Sequence, residues 1–217
     1  MKNITFKNGK IYNPTKIIGV GRNYSEHIKE MRSEKTTDPV LFIKPVSALC
    51  DMMSPLLLPK KYGSVHHEIE LAVCIGKSGS EIRIEDAFES VAGFGLALDL
   101  TLRDLQADAK KAGLPWAVAK GFNNSCPVSV FVPAEDIADV NNLNLLLKVN
   151  GEERQKGNTG QMLFKLDVLI SYISRFFRLE EGDIILTGTP SGVGPLQEGD
   201  KIEATIDQIA SIQTFIL

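Results

Sequence analysis

Residues 66–76, HHEIELAVCIG, limit what this chain can fold into more than any other stretch. From Glu68 the run alternates acidic and apolar residues and then turns wholly apolar, so as a strand it places Glu68 and Glu70 on one face and Ile69 and Leu71 on the other. Two carboxylates side by side repel unless water or a cation lies between them, and a hard divalent cation accepts oxygen ligands at this spacing. An isolated Glu-x-Glu is more ordinarily a half-exposed strand with a wet acidic face. The metal reading therefore needs support from elsewhere in the chain. A zinc protease is excluded, because the second histidine of HExxH after His67-Glu68 falls on Leu71.

Composition narrows the function classes. The chain has 217 residues, 43% hydrophobic and 24% charged, values ordinary for a soluble globular protein, and one domain over 1–217 is expected. With 24 Lys and Arg against 27 Asp and Glu the net charge is −3, so no positive field gathers nucleic acid or anionic lipid. Cys50, Cys74 and Cys126 form no CxxC pair and fit buried thiols in a reducing compartment. The first residues hold no apolar signal core and no long apolar run follows. A cytoplasmic protein with neither membrane nor nucleic acid as partner is expected.

In chain order, two short β-type runs, ITF and KIIGV, come first. Gly19 and Gly21 invite a dinucleotide reading, but the third glycine of that fingerprint falls on Tyr24. Ser25 is predicted to cap a short helix through Lys35, with His27 and Glu30 on one face as a potential general base or an ordinary surface pair. Thr36 to Pro39 stops it, leaving a tethered segment that could act as a lid. VLFIKP, residues 40–45, reads as a strand. Residues 91–98 form a buried strand that delivers Asp99 just before a helix, with Thr101 and Asp104 as a capping box and Gly113 and Pro115 as its close. On that helix Arg103 and Gln106 share a face one turn from Asp99. They suit a substrate carboxylate, or are simply solvated. Lys120, in the alternating WAVAKGF, is a strand's outward residue or an anion contact. Residues 143–155 are a hairpin centred on Asn150-Gly151, for which structure is explanation enough.

Between 167 and 178, Leu169, Ile170, Ile173, Phe176 and Phe177 recur at helical spacing and are expected in the core. The Gly- and Pro-rich loop from Gly188 to Gly194 lacks the Lys-Ser/Thr ending of a P-loop, although its amides and the Thr189 hydroxyl could meet a small anion. Together these runs predict an α+β chain dominated by mixed sheet, with a few short helices.

RNYSEHIKEM, HHEIELAV with the later LALDLTLRDLQ, and EEGDIILTGTPSGVGP together resemble the fumarylacetoacetate hydrolase family, closest to its small acylpyruvase and oxaloacetate decarboxylase branch. The resemblance runs from about residue 16 to the end and implies a mixed β-sandwich roll, a homodimer, and Mg²⁺ or Mn²⁺ held by Glu68, Glu70 and Asp99. Three acidic oxygen donors suit such a hard ion. It further implies His27 and Glu30 as a catalytic dyad with Lys120 as a further catalytic residue, and Arg103, Gln106, Lys120 and Thr189 as holders of a small 2-oxo acid, with Arg22 near them. The expected activity is hydrolysis of acylpyruvates at the bond between C3 and C4. Oxaloacetate decarboxylation or keto-enol tautomerisation is the alternative, and a non-catalytic 2-oxo-acid-binding protein stands below both.

Overall fold

The computed structural model describes residues 3–31 and 35–217. Its central sheet runs in the order Val40–Lys44, Ile17–Gly21, Ile184–Leu186, Ile69–Ile75, Val91–Leu98, Cys126–Val128, Leu49–Asp51, with Val132–Pro133 paired to Val91–Leu98. Two of its pairings, Ile184–Leu186 with Ile17–Gly21 and Cys126–Val128 with Leu49–Asp51, are parallel and the rest antiparallel, so the sheet is mixed as expected. Every residue of Ile69–Ile75 is buried. Period-two alternation sends Ile69, Leu71, Val73 and Ile75 into the larger core, and Ala72 and Cys74 into a smaller one with Ile4, Phe6 and Phe131. Glu70 shares its parity with the small residues Ala72 and Cys74.

A second, antiparallel sheet, ordered Glu152–Asn158, Asn144–Val149, Lys201–Ile206, Ala210–Phe215, closes the larger core with Leu145, Leu147, Ile202 and Ala204. Its first hairpin turns where predicted, with Asn150 at φ 55° and Gly151 at φ 82°. The two sheets and a few short helices make the fold α+β.

Four helices matter here: α1 (Ser25–Glu30), α2 (Arg103–Ala112), α3 (Ala117–Lys120) and α4 (Leu166–Phe176). In α4, Leu169, Ile170 and Ile173 are buried as predicted, whereas Phe176 is 64% exposed. Phe176 is the last residue of α4, where the apolar face runs out past the core, and it packs edge-on to Tyr172 at 5.2 Å instead.

The expected helix starts are corrected. Tyr24, not Ser25, is the N-cap of α1, and no side chain caps it. The described helix stops at Glu30 with Met31 closing it; residues 32–34 of the expected extension lie outside the described residues, and Lys35 is not helical. The capping box on α2 does not form, because Thr101–Leu102 are used as a strand against Val65–His67 and Leu102 becomes the N-cap. Thr101 Oγ1 donates to the Asp99 carbonyl at 3.1 Å, and Asp104 accepts the Ser64 amide at 2.9 Å. Gly113 ends α2 at φ 66°, as its sequence position implied. WAVAKGF supplies α3; its small alternating residues fit either period. No helix among the described residues is long and apolar enough to cross a membrane.

Candidate metal and substrate site

The junction of the two pieces of the acidic run carries the site. Glu68 sits between Val65–His67 and Ile69–Ile75, where its carbonyl accepts the Asp99 amide at 2.8 Å. That bond extends the pairing of Ile69 with Leu98 by one step and brings the end of Val91–Leu98 beside Glu68. Ligand oxygens of Glu68, Glu70 and Asp99 lie within 4.8 Å of one another, and all three residues are buried. This is no wet acidic face.

Cations surround the triad. Lys120, brought in from α3, donates to Glu68 Oε2 and Thr101 Oγ1, each at 2.8 Å, and to Asp99. Arg103 donates to Glu68 through Nη2 and to Gln106 Oε1 through Nη1 at 2.6 Å. Burial works against the Glu68 carboxylate, but Lys120 and Arg103 hold it charged, well below the usual carboxylate range. Glu70 lacks such a partner. Burial and then the charges of Asp99 and Glu68 push it well above the usual range, opposed by the nearby charge of Lys120 and by the Gly188 amide, 2.7 Å from Oε2.

These residues fit a hard divalent cation. The donors are three carboxylates with no sulfur or imidazole among them. A cation among them removes the repulsion that Glu70 meets. Asp99 Oδ1 also remains available: it is 2.7 Å from Lys44 Nζ, but the Leu100, Lys120 and Ser125 oxygens around Lys44 engage the ammonium protons, and Oδ1 receives no hydrogen bond.

A cleft opens over the triad. All the other residues expected at the site, Arg22, His27, Arg103, Gln106, Lys120 and Thr189, line it except Glu30. Glu30 stands behind His27, with Oε2 3.1 Å from His27 Nδ1 and Oε1 accepting the Gly192 amide at 2.9 Å. This docks α1 on the Gly188–Gly194 loop. It orients the imidazole and leaves Nε2 as the nitrogen for a ligand. Two of the loop's amides, those of Gly188 and Gly192, thus serve the site's carboxylates. Thr189 spends its hydroxyl proton on the Ile69 carbonyl at 2.8 Å. Arg103 Nε is buried without a hydrogen-bond partner, a donor in hand for a ligand.

Two supporting residues were not legible in the sequence. Lys44 lies fully buried beneath Asp99, and Gln155, in a hairpin that reads as structural, uses its whole amide. Gln155 Oε1 accepts the Ile69 amide at 3.0 Å and meets His67 Nδ1 at 2.9 Å, while Nε2 donates to Thr189 Oγ1 at 2.7 Å and the Pro190 carbonyl at 2.9 Å. It ties the acidic strand to the loop that completes the cavity. Only its parity hints at this: Gln155 follows three exposed residues, Glu152 to Arg154, and turns inward. Gln155→Leu strands these groups and is expected to cost about 1–3 kcal/mol, read as a lower urea midpoint at unchanged slope; a midpoint equal to that of the wild type contradicts the role.

The mixed-sheet fold and its buried carboxylate triad define an α+β protein with a site fitted to a divalent cation. The chain belongs to the fumarylacetoacetate hydrolase family: the family's C-terminal domain matches residues 16–216. It is 54% identical to oxaloacetate tautomerase YcgM of Escherichia coli K12 over 197 residues, 90% of each chain. With the mitochondrial oxaloacetate tautomerase FAHD1 of Mus musculus it shares 53% over 197 residues, 91% of this chain and 89% of that one. The fumarylpyruvate hydrolase of Pseudomonas aeruginosa, solved with Mn²⁺ and pyruvate, superposes with a TM-score of 0.95 at 33% identity, covering 99% of this chain and 95% of the other.

Proposed function

We propose that the protein interconverts the keto and enol forms of oxaloacetate. The observation that carries this reading is that one cavity holds a carboxylate triad fitted to a divalent cation and a histidine whose other ring nitrogen is tied to a glutamate. The similarity to two oxaloacetate tautomerases supports it over the acylpyruvate hydrolysis first expected from the sequence.

Tautomerisation moves one proton: the C3–H bond breaks and an O–H bond forms at the 2-oxo oxygen. Mg²⁺ or Mn²⁺ held by Glu68, Glu70 and Asp99 supplies Lewis acidity toward a 2-oxo acid. His27 Nε2 takes the C3 proton and returns it to the 2-oxo oxygen, with Glu30 fixing the ring and stabilising the intervening imidazolium through Nδ1. Arg103, with its unpartnered Nε, and Gln106 hold the neighbouring carboxylate. Lys120 sets a positive charge among the carboxylates, where electron density collects as the proton leaves C3.

Hydrolysis of acylpyruvates is the second reading, favoured by the likeness to the fumarylpyruvate hydrolase. It uses the same dyad to activate water. The two are separated by following the enol absorbance of oxaloacetate, and the pyruvate released from acetylpyruvate and fumarylpyruvate, with Mg²⁺-loaded protein. Enol loss far faster than the spontaneous rate, with little pyruvate from any substrate, is expected. His27→Ala should lower that rate about 10²–10⁴-fold. Rapid pyruvate release from a diketo acid with no acceleration of tautomerisation reverses the assignment.

A further inference from the structure

Helix α2 carries a third residue toward the cavity. Arg103, Gln106 and Lys110 stand at i, i+3 and i+7, one face of the helix, and all three line the cavity. The function proposed above uses the first two and leaves Lys110 without a task. Lys110 Nζ lies 5.3 Å from the centre of the Trp116 ring, and among the described residues no carboxylate pairs with it.

An aromatic wall joins this ammonium to the inner site. Lys120 Nζ lies 4.8 Å from the centre of the Phe42 ring, and Phe42 and Trp116 are tilted neighbours with centroids 6.3 Å apart. The wall therefore has an ammonium at each end. The inner one is neutralised by Glu68 and Asp99. Among the described residues the outer one has only the ring face. Burial, and then the charges of Arg103 and Arg22, push Lys110 down to about 8, the mark of an amine crowded by cations and short of an anion.

The geometry points to Lys110 as the specificity-determining residue that receives a second carboxylate, the one remote from the 2-oxo group, of a dicarboxylic substrate. This deepens the oxaloacetate reading and rests on it for the inner placement of the 2-oxo acid end. A monocarboxylic 2-oxo acid such as pyruvate satisfies the inner site and leaves Lys110 unused. A four-carbon diacid supplies the missing anion, and Trp116 packs beside it. Because the contact is remote from C3, it contributes to binding and leaves the proton transfer alone.

Trp116 is the chain's one tryptophan and stands beside the amine, so its fluorescence reads occupancy without turnover. The experiment titrates Mg²⁺-loaded wild type, Lys110→Met and Lys110→Arg with oxaloacetate and with pyruvate, and measures oxaloacetate tautomerisation in parallel. Lys110→Met should weaken oxaloacetate about 10–100-fold, in dissociation constant and KM alike, with kcat nearly unchanged and pyruvate within about twofold. Lys110→Arg should recover most of the loss. Equal weakening of both ligands, or none of oxaloacetate, overturns the assignment. If the wild type does not tautomerise oxaloacetate, the catalytic reading fails while the fluorescence contrast between diacid and monoacid still decides the role of Lys110.

Discussion

Glu70→Gln is expected to abolish tight divalent-cation binding while leaving the folded chain intact. Calorimetric titration with Mn²⁺ should show affinity reduced by more than the roughly 10–100-fold that outer-sphere partners cost. Glu70 is the triad member with no ammonium or guanidinium of its own; Glu68 has Lys120 and Arg103, and Asp99 has Lys120 and Lys44. Its charge is thus the one least neutralised by the protein and most available to a metal. Glutamine keeps an oxygen for the Gly188 amide, now 2.7 Å from Oε2, so the loop after Leu186 should hold its place. The change also removes a carboxylate that burial and two like charges disfavour. In EDTA the variant should therefore be at least as stable as the wild type toward urea, while added Mn²⁺ stabilises the wild type alone. Wild-type Mn²⁺ affinity in the variant excludes Glu70 as a ligand. Loss of stability in EDTA assigns it a structural role instead.

The acidic run shows why the fold was readable and the site only half so. Alternation places a residue on a face, and that alone put Glu68 and Glu70 together and Ile69 and Leu71 in the core. Asp99 could be added because an apolar strand ends directly before it. Pairing across the sheet was not visible: the bond from the Asp99 amide to the Glu68 carbonyl decides that these carboxylates converge, and nothing local encodes it. Thr101 and Asp104 fail as a capping box for the same reason, since the partner that takes Thr101–Leu102 into a strand lies some 35 residues upstream at Val65–His67. Lys110 shares a helix face with Arg103 and Gln106, but a lysine seven residues from an arginine carries no signal without Trp116 beside it. The three carboxylates fitted to a cation are acidic, and two of them sit in one alternating run. The residues that hold them, Lys44 and Gln155, are neither.

Lys44→Met is expected to cost the largest share of stability of any single change near the site, about 3–5 kcal/mol, as for a buried ion pair broken by removal of one partner. Lys44 ends the strand Val40–Lys44 and is fully buried, a position a lysine seldom takes without full compensation. Its ammonium reaches the carbonyls of Leu100 at 3.2 Å and Ser125 at 2.9 Å, the Ser125 hydroxyl at 3.0 Å, the Lys120 carbonyl, and Asp99 Oδ1 at 2.7 Å. One side chain thus joins the end of Val91–Leu98, the end of α3 and the turn into Cys126–Val128 directly beneath the triad. Methionine matches its length and supplies none of the donors. Urea denaturation in EDTA should show the loss at an unchanged slope, and Asp99→Asn added to Lys44→Met should recover part of it, because a neutral amide needs no buried counter-charge. That recovery is the sign of a charge problem, whereas a mere cavity would make the two losses add. A Lys44→Met protein within about 1 kcal/mol of wild type would mean that water or a shifted Lys120 takes over beneath Asp99, and the floor of the site would then be polar but not built around one buried lysine.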